Sequence, residues 1–249
     1  EMGFVSRVAR WTKRPTDDKL AAQHVLIVGA GVCAIALAVA LGHLGIPYTI
    51  VEKNAELGGT WWINRYPGCG VDTPNHSYSY SFGSGNAWTR YFCQREELLG
   101  YLKKVADEYG IRKHLRVDTD LTASHWDDGK RRWISTLKTK NGEEIFESTA
   151  LVSAIGQLND PSRTHFKGEE DFNGTILHSA LWSDSIKLDG KHVAVIGTGA
   201  TSMQLVPTIA GRVASVTVYQ RSAQWARPVK GYADPITEGA RWLLAHLPF

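Results

Sequence analysis

Residues 24–53 read HVLIVGAGVCAIALAVALGHLGIPYTIVEK, and the order of the elements within them predicts the fold class. The apolar run VLIV is typical of a buried strand, and a glycine turn follows it. The next residues, CAIALAVALGHLG, form an apolar helical pattern, and YTIVEK begins a second strand. A strand, a turn, a helix and a second, parallel strand make up a βαβ half-unit. We therefore predict an α/β fold built on a parallel sheet.

The glycine turn carries a fingerprint, because Gly29, Gly31 and Ala34 match the spacing G-x-G-x-x-G/A. Gly29 permits the tight turn, Gly31 lets the backbone approach a pyrophosphate, and Ala34 allows close packing of helix and strand. The helix N-terminus adds free N–H donors for the anion. Glu52 lies 21 positions after Gly31, where a carboxylate can accept hydrogen bonds from both ribose hydroxyls. We expect a dinucleotide with a free ribose here; the alternative is a plain βαβ core.

The uncharged stretch at residues 25–42 approaches the length of a membrane-spanning helix. Its glycines stand where a strand must turn into a helix, and a further strand follows directly. A buried strand-turn-helix unit explains these features, whereas a membrane span explains only the length. We therefore predict no membrane association.

A second copy of the unit begins at residue 192, with HVAVIG, TGATSMQLVPTIAG and VASVTVYQR in the same order. Its fingerprint runs from Gly197 to Ser202 and stands 168 positions after the first. Its second strand ends without a carboxylate, and Arg221 lies 22 positions after Gly199. An arginine pairs with a 2′-phosphate that an acid would repel. We therefore expect NADPH at this site; the alternative for Arg221 is an ordinary surface arginine.

The composition is that of an ordinary globular protein, with 43% hydrophobic and 21% charged residues in a chain of 249. The net charge of +3 is small and the basic residues are scattered, which argues against nucleic-acid binding. The chain has an odd number of cysteines, namely Cys33, Cys69 and Cys93, and their spacing is not that of a metal site. We therefore predict no metal site, and reduced thiols in a cytoplasmic protein, since the first residues show no secretory signal.

Two motifs resemble those of Baeyer–Villiger monooxygenases. Residues 58–72, GGTWWINRYPGCGVD, resemble the family motif G-G-x-W-x-x-x-x-Y-P-G-x-x-x-D. The family signature F-x-G-x-x-x-H-x-x-x-W is matched, just before the second fingerprint, by Phe172, Gly174, His178 and Trp182. Trp182 favours this family over the related N-oxygenating flavin monooxygenases, whereas Ser183 departs from the usual Pro or Asp.

The resemblance covers nearly the whole chain from His24 on, and AIGQLNDP, VIGTGATS and WLLAHLPF look most like the 4-hydroxyacetophenone monooxygenase branch. It implies two Rossmann-like dinucleotide-binding domains of three-layer ββα type with parallel central sheets, one for FAD and one for NADP(H). It also implies NADPH- and O2-dependent conversion of ketones, with aryl ketones favoured, to esters or lactones through a C4a-peroxyflavin. The alternatives are an N- or S-oxygenating flavin monooxygenase and an inactive nucleotide-binding fragment.

This interpretation divides the chain into four regions. They are an N-terminal arm (1–22), the N-terminal part of the FAD-binding domain (23–157), a connector with the signature (158–187) and an incomplete NADP-binding domain (188–249). Within the first domain we predict a helix at 95–109 and strands at 114–122, 131–138 and 145–155. The ending RWLLAHLPF resembles an unfinished amphipathic helix, so we expect a remainder of the same polypeptide beyond Phe249. The other expected partners are O2 and a ketone. Whether the protein forms a homodimer is left undecided by the sequence.

The resemblance also assigns roles to single residues. The flavin and the nicotinamide would be contacted by Gly59, Thr60, Trp61, Tyr78, the backbone of Leu121 and Gln157. The NADPH pyrophosphate and the adjacent groups would be held by Thr198, Gly199, Ala200, Thr201, Ser202 and Gln204. The expected cofactor contacts also include the neighbours of Glu52 and Arg221, which are Lys53 and Ser222.

Asp72 is the expected supporting catalytic residue and a further cofactor contact. Its counterpart in the family lies beside flavin and nicotinamide and pairs with an arginine that stabilises the peroxide anion. We expect that main catalytic arginine beyond Phe249; the alternative for Asp72 is a solvated loop aspartate. Two roles stay open for His178: it couples domain movement to NADPH binding, or it is a structural histidine bonded to backbone.

Overall fold

A computed structural model describes residues 18–83 and 86–246, without the side chains of residues 244 and 245. Residues 1–17 of the expected N-terminal arm and residues 247–249 lie outside the described residues. The helices of the described part are α1 (Asp18–Ala21), α2 (Val32–Leu44), α3 (Thr60–Ile63), α4 (Arg95–Glu108), α5 (Ala200–Ile209) and α6 (Glu238–His246). Its strands are β1 (Val25–Val28), β2 (Tyr48–Val51), β3 (Leu115–Arg116), β4 (Asp120–Asp127), β5 (Arg132–Thr139), β6 (Gly142–Ser148), β7 (Ala150–Ser153), β8 (His192–Ile196) and β9 (Ser215–Tyr219).

The larger parallel sheet has the strand order β3-β2-β1-β7. In its register Val25 of β1 lies opposite Tyr48 of β2 on one side and opposite Ala150 of β7 on the other. Parallel neighbours need a crossover connection, and α2 supplies it between β1 and β2. The prediction of an α/β fold with a parallel sheet is therefore confirmed.

The side chains of β1 alternate between two cores, as the period of two in a strand requires. Val25 and Ile27 face the helices, where they join the main core. Leu26 faces the opposite side, where it packs with Val51 and Leu137, each of them almost wholly buried. The helical layer is formed by α2 and α4, whose buried residues include Ala34, Ile35, Ala38, Leu98, Leu102 and Val105.

An antiparallel sheet of order β4-β5-β6 covers the other face of the parallel sheet. Its contact residue at the centre is Leu137 of β5, and Leu121 and Phe146 pack around it. The first unit is therefore built of an antiparallel sheet, a parallel sheet and a helical layer, which is the three-layer ββα arrangement that the resemblance implied.

Two of the predicted strands are divided in the structure. The run 114–122 splits because Asp118 adopts a left-handed conformation (φ 49°) and turns the chain between β3 and β4. The run 145–155 splits at Thr149, whose N–H donates to the carbonyl of His24 (2.8 Å) and directs the following residues into the parallel sheet as β7. At each break the chain passes between the parallel and the antiparallel sheet, and the local alternation of apolar residues does not indicate this change of sheet.

The second unit consists of β8, α5 and β9, with β8 and β9 paired in parallel. Leu205 and Ile209 of α5 are buried in the main core of the first unit, so the two units share apolar packing. The uncharged stretch at residues 25–42 is divided between β1 and α2. Across residues 18–83 and 86–246, no helix combines the length and the apolar character that a membrane crossing requires.

The packing of the two sheets of the first unit gives a stability prediction. Leu137 is 0% exposed between them, so Leu137→Ala leaves a cavity and should lower the free energy of unfolding by about 2–5 kcal/mol. Denaturant unfolding followed by circular dichroism measures this change. The matched control is Ile145→Ala on β6, which is 63% exposed and should cost about 0.5 kcal/mol or less. Equal losses in the two variants would contradict the assignment of Leu137 to a second core.

Candidate functional site

The first glycine turn lies between β1 and α2, at the carboxyl end of the parallel strands. Gly29 has φ 95°, and a Cβ on it would lie 2.7 Å from the carbonyl oxygen of Ala154. Only glycine fits this combination of backbone conformation and close approach. Gly31 is the N-cap residue of α2 and provides no side-chain cap, so the N–H groups of the first helical turn stay available for an anion.

A second glycine pair lies directly against this turn. The N–H of Gly58 donates to the carbonyl of Ala30 (2.9 Å), and Gly59 has φ 54°. A Cβ on Gly59 would lie 2.9 Å from Cα of Gly31. The two glycine loops therefore bring bare backbone to the N-terminus of α2, which is the geometry that a pyrophosphate group requires.

Glu52 follows β2 and is only 5% exposed. Its Oε2 accepts a hydrogen bond from the N–H of Ala30 (2.8 Å), in the middle of the glycine turn. Its Oε1 accepts from the backbone N–H of Asn54 (2.9 Å) and from Nδ2 of the same residue (2.6 Å). Glu52 was expected at the ribose, and its contact with Ala30 was not predicted, because a separation of 22 residues in the sequence gives no signal for a hydrogen bond.

The remaining residues of the expected flavin set surround the same edge of the sheet. Trp61 is buried, and its Nε1 donates to the hydroxyl of Tyr78 (3.2 Å). Leu121 is the second residue of β4, and the N–H of Thr119, just before this strand, donates to the carbonyl of Glu52 (2.9 Å). The exposed members of the set are Lys53, Thr60 and Gln157, the last of which follows β7.

The second glycine turn lies beside an open cleft of about 300 Å³. The cleft is lined by Thr198, Ser202, Met203, Val206, Pro207, Val218, Gln220 and Gln224. Gly199 is the N-cap residue of α5 and again provides no side-chain cap, so Ala200 and Thr201 begin a helix with free N–H donors. Arg221 is exposed just after β9, and Gln220 next to it donates from Nε2 to the carbonyl of Ser222 (3.1 Å).

Gln204 has a different environment from the other residues expected at NADPH. Its Oε1 accepts from the hydroxyl of Tyr66 (2.8 Å) and from the N–H of Gly70 (3.4 Å). Its Nε2 donates to the carbonyl of Gly70 (2.8 Å). Burial raises the pKa of Tyr66, so the phenol keeps the proton that it donates to Gln204. The structure thus joins Gln204 to the loop that carries Asp72.

Asp72 lies at the end of this loop and is exposed. Its neighbour Val71 is buried, and the carbonyl of Val71 accepts a hydrogen bond from the hydroxyl of Tyr232 (2.7 Å). Oγ1 of Thr73 donates to Oδ1 of Asp72 (3.3 Å). The backbone on both sides of Asp72 is therefore held while its carboxylate faces outward.

The signature residues lie in the connector between the two units. Nδ1 of His178 accepts from the N–H of Ala180 (3.2 Å) and caps the short 3₁₀ turn Ser179–Leu181. This contact is of the kind expected for a structural histidine, and the role of His178 in domain movement stays a prediction. Trp182 packs against the main core, whereas Phe172 is 60% exposed and its ring lies against Gly174.

Comparison with known proteins places these features in a wider group. The model of the family described as pyridine nucleotide-disulphide oxidoreductase matches residues 26–239. An uncharacterized monooxygenase of Sinorhizobium fredii is 41% identical over 90% of the chain, and a Baeyer–Villiger monooxygenase of Streptomyces coelicolor is 38% identical over 82%. The chain spans 34% and 39% of the length of these two relatives. The crystal structure of OTEMO in complex with FAD and NADP superimposes with a TM-score of 0.81 at 32% identity, over 90% of this chain and 43% of that one.

The contact between Glu52 and the first glycine turn gives a prediction that needs no nucleotide. In Glu52→Gln an amide N–H₂ replaces one acceptor oxygen and faces the N–H donors, so the free energy of unfolding should fall by about 1–3 kcal/mol. Denaturant unfolding of nucleotide-free protein measures the loss. The matched control, Glu143→Gln, lies on the exposed surface of β6 and should change the stability by about 0.5 kcal/mol or less. An unchanged Glu52→Gln protein would mean that this carboxylate does not stabilise the turn.

Proposed function

The chain belongs to the pyridine nucleotide-disulphide oxidoreductase family, and on this basis we propose that it is the FAD- and NADPH-binding portion of a Baeyer–Villiger monooxygenase. The observation that carries the proposal is the difference between its two nucleotide units. In the first unit a buried carboxylate, Glu52, directly follows the second strand, and in the second unit an exposed cation, Arg221, lies two residues after the second strand. This difference suits one nucleotide with a free ribose and one with a 2′-phosphate.

The residues at the first unit fit FAD. The approach of Gly59 to Gly31 leaves no room for a side chain on Gly59, and the N-terminus of α2 has no cap of its own. The pyrophosphate would lie at this helix end, and Glu52 retains acceptor capacity for a ribose hydroxyl beside its three present bonds. Trp61 and Tyr78 would form the wall beside the flavin ring system.

The residues at the second unit fit NADPH. The uncapped N-terminus of α5 and the side chains of Thr198 and Ser202 border the cleft of about 300 Å³. Arg221 lies two residues after β9 and would pair with the 2′-phosphate.

FAD, when bound, supplies the redox chemistry by which NADPH and O2 convert a ketone to an ester or lactone. One oxygen atom enters the product, the other leaves as water, and NADPH provides the two electrons. Asp72 would place a negative charge beside the reacting groups and hold an arginine there by charge pairing. The Streptomyces coelicolor relative, which is named as a Baeyer–Villiger monooxygenase, supports this reaction. The resemblance of short segments such as AIGQLNDP and VIGTGATS to the 4-hydroxyacetophenone monooxygenase branch favours an aryl ketone as the substrate.

The remainder of the same polypeptide is the partner that the second unit needs. In the first unit β1 pairs with β2 and β7, whereas the described residues pair β8 with β9 alone. Ile196 on β8 is 63% exposed. We propose that polypeptide outside this chain completes the sheet beside β8 and brings the catalytic arginine. The cytoplasmic location, the homodimer and the domain boundaries at 22, 157 and 187 stay predictions.

Product analysis tests the proposed reaction. The complete FAD-loaded polypeptide should convert 4-hydroxyacetophenone to its acetate ester and consume NADPH and O2 in equal amounts. Asp72→Asn keeps the size of the side chain but loses its charge, so ester formation should fall about tenfold or more while FAD stays bound. N- or S-oxides from an amine or sulfide, without ester from any ketone, would identify the N- or S-oxygenating alternative, and failure to bind FAD would refute both.

The role of Arg221 predicts a change in nucleotide preference. Arg221→Ala removes the charge-assisted hydrogen bonds to the 2′-phosphate, so the dissociation constant for NADPH should rise about tenfold or more. The dissociation constant for NADH, which lacks this phosphate, should change by less than about threefold. Titration of both nucleotides measures the two constants, and the matched control is Arg227→Ala at another exposed arginine of the same segment. Parallel losses for NADPH and NADH would show that Arg221 does not contact the phosphate.

A further inference from the structure

We propose that Gln204 is a positioning residue that fastens the loop 66–72 to the helix of the second fingerprint, and that it is not a ligand of the nucleotide. The loop carries Asp72, so this contact would couple the orientation of the NADPH-binding unit to the position of that carboxylate. The consequence for catalysis rests on the proposed function, whereas the contact itself does not.

The hydrogen bonds of Gln204 leave its amide oxygen without free capacity. Oε1 has two lone pairs, and the hydroxyl of Tyr66 and the N–H of Gly70 occupy both. One of the two N–H groups of Nε2 donates to the carbonyl of Gly70. The pair of bonds to Gly70 resembles a rung between strands, because one side chain satisfies both backbone groups of one residue. A nucleotide ligand would have to displace these bonds, whereas a positioning residue needs them.

The backbone around Gln204 is shaped to receive the loop. Gly68 has φ 81°, and a Cβ on it would lie 2.5 Å from the carbonyl oxygen of Gln204 and would also meet Oγ1 of Thr208. Tyr232 closes the other side, because its hydroxyl donates to the carbonyl of Val71 and its ring stacks on Phe92. The loop therefore lies directly on α5 at a position where only glycine permits the approach.

The position of Gln204 along α5 gives the contact its significance. Gln204 lies one turn after Thr201, so the two share a face of the helix. The turn that contains Thr201 is the proposed phosphate site, and Asp72 lies two residues beyond Gly70 in the loop. If nucleotide binding rotates α5, the hydrogen bonds of Gln204 would move Gly70, and the displacement of Gly70 would shift Asp72.

Hydrogen exchange tests the contact without reference to turnover. In FAD-loaded protein without NADP+, Gln204→Leu removes all three bonds at similar size, so amide exchange in the peptide 66–72 should accelerate about tenfold or more. Tyr66→Phe should accelerate it less, and the double variant no more than Gln204→Leu, because one network is lost. The matched control is Gln23→Leu, at an exposed glutamine whose side chain donates to the nearby carbonyl of Lys19, and it should leave the exchange of this peptide unchanged. Unchanged exchange in Gln204→Leu would overturn the proposal.

Nucleotide binding distinguishes a positioning residue from a ligand. In Gln204→Leu the dissociation constant for NADP+ should stay within about threefold of the wild type, while flavin reduction at saturating NADPH should slow about tenfold or more. A large rise in the dissociation constant with an unchanged rate at saturation would make Gln204 a ligand and overturn the proposal. If Gln204→Leu does not fold, Gln204→Glu, which keeps the acceptor and loses the donor to Gly70, takes its place with the same criteria. Wild-type protein that binds no NADP+ would refute the proposed function, and the exchange of peptide 66–72 would still decide the contact.

Discussion

Glu52 lies at the end of β2 with its carboxylate inside the protein, where it accepts the N–H of Ala30 and two donors of Asn54. A carboxylate removed from water is costly unless donors replace the lost hydration, and each oxygen here has at least one. Because Ala30 stands between the two glycines of the turn, the bond to Glu52 fixes the turn to the second strand. The uncapped N-terminus of α2 and the glycine contact with Gly59 both depend on that turn.

The two units share one sequence pattern, so the surroundings of their glycine turns can be compared directly. At the first turn, Gly29 lies under the carbonyl of Ala154 just after β7, so a neighbouring strand encloses the turn. At the corresponding Gly197, a Cβ would meet nothing within 4 Å among the described residues. The first turn is also held by a buried acid, Glu52, directly after its second strand. The corresponding position in the second unit is Gln220, and the exposed Arg221 follows it. The first turn is thus enclosed by β7, whereas among the described residues no third strand lies beside the second turn, which is the side where we propose that further polypeptide completes the sheet.

The sequence predicts those features that are determined by neighbouring residues, and it does not predict contacts between residues far apart in the chain. The βαβ order, the glycine turns and the place of Glu52 after β2 follow from periodicity and spacing within about thirty residues, and these features are present in the structure. The contact of Gln204 with Gly70 joins residues 134 positions apart, and polar side chains show no periodicity that would announce such a pair. The strand breaks at Asp118 and Thr149 were missed for a related reason, since each depends on a hydrogen bond to a distant backbone group, the carbonyl of Asn54 or of His24.

The segment 58–72 touches both nucleotide units, and this double contact gives a physical reason for the spacing of its residues. Its first glycines meet the turn of the first fingerprint, where Gly59 lies against Gly31. Its last glycines meet the helix of the second fingerprint, where Gly68 and Gly70 lie against Gln204. Glycine is needed at both ends for the same reason, namely that backbone must approach backbone with no Cβ between them. The helix α3 and Tyr66 span the distance between these contacts, so an inserted or deleted residue in the segment would break one of them. The number of residues between the Gly-Gly pair and the Tyr-Pro-Gly turn must therefore match the distance between the two units.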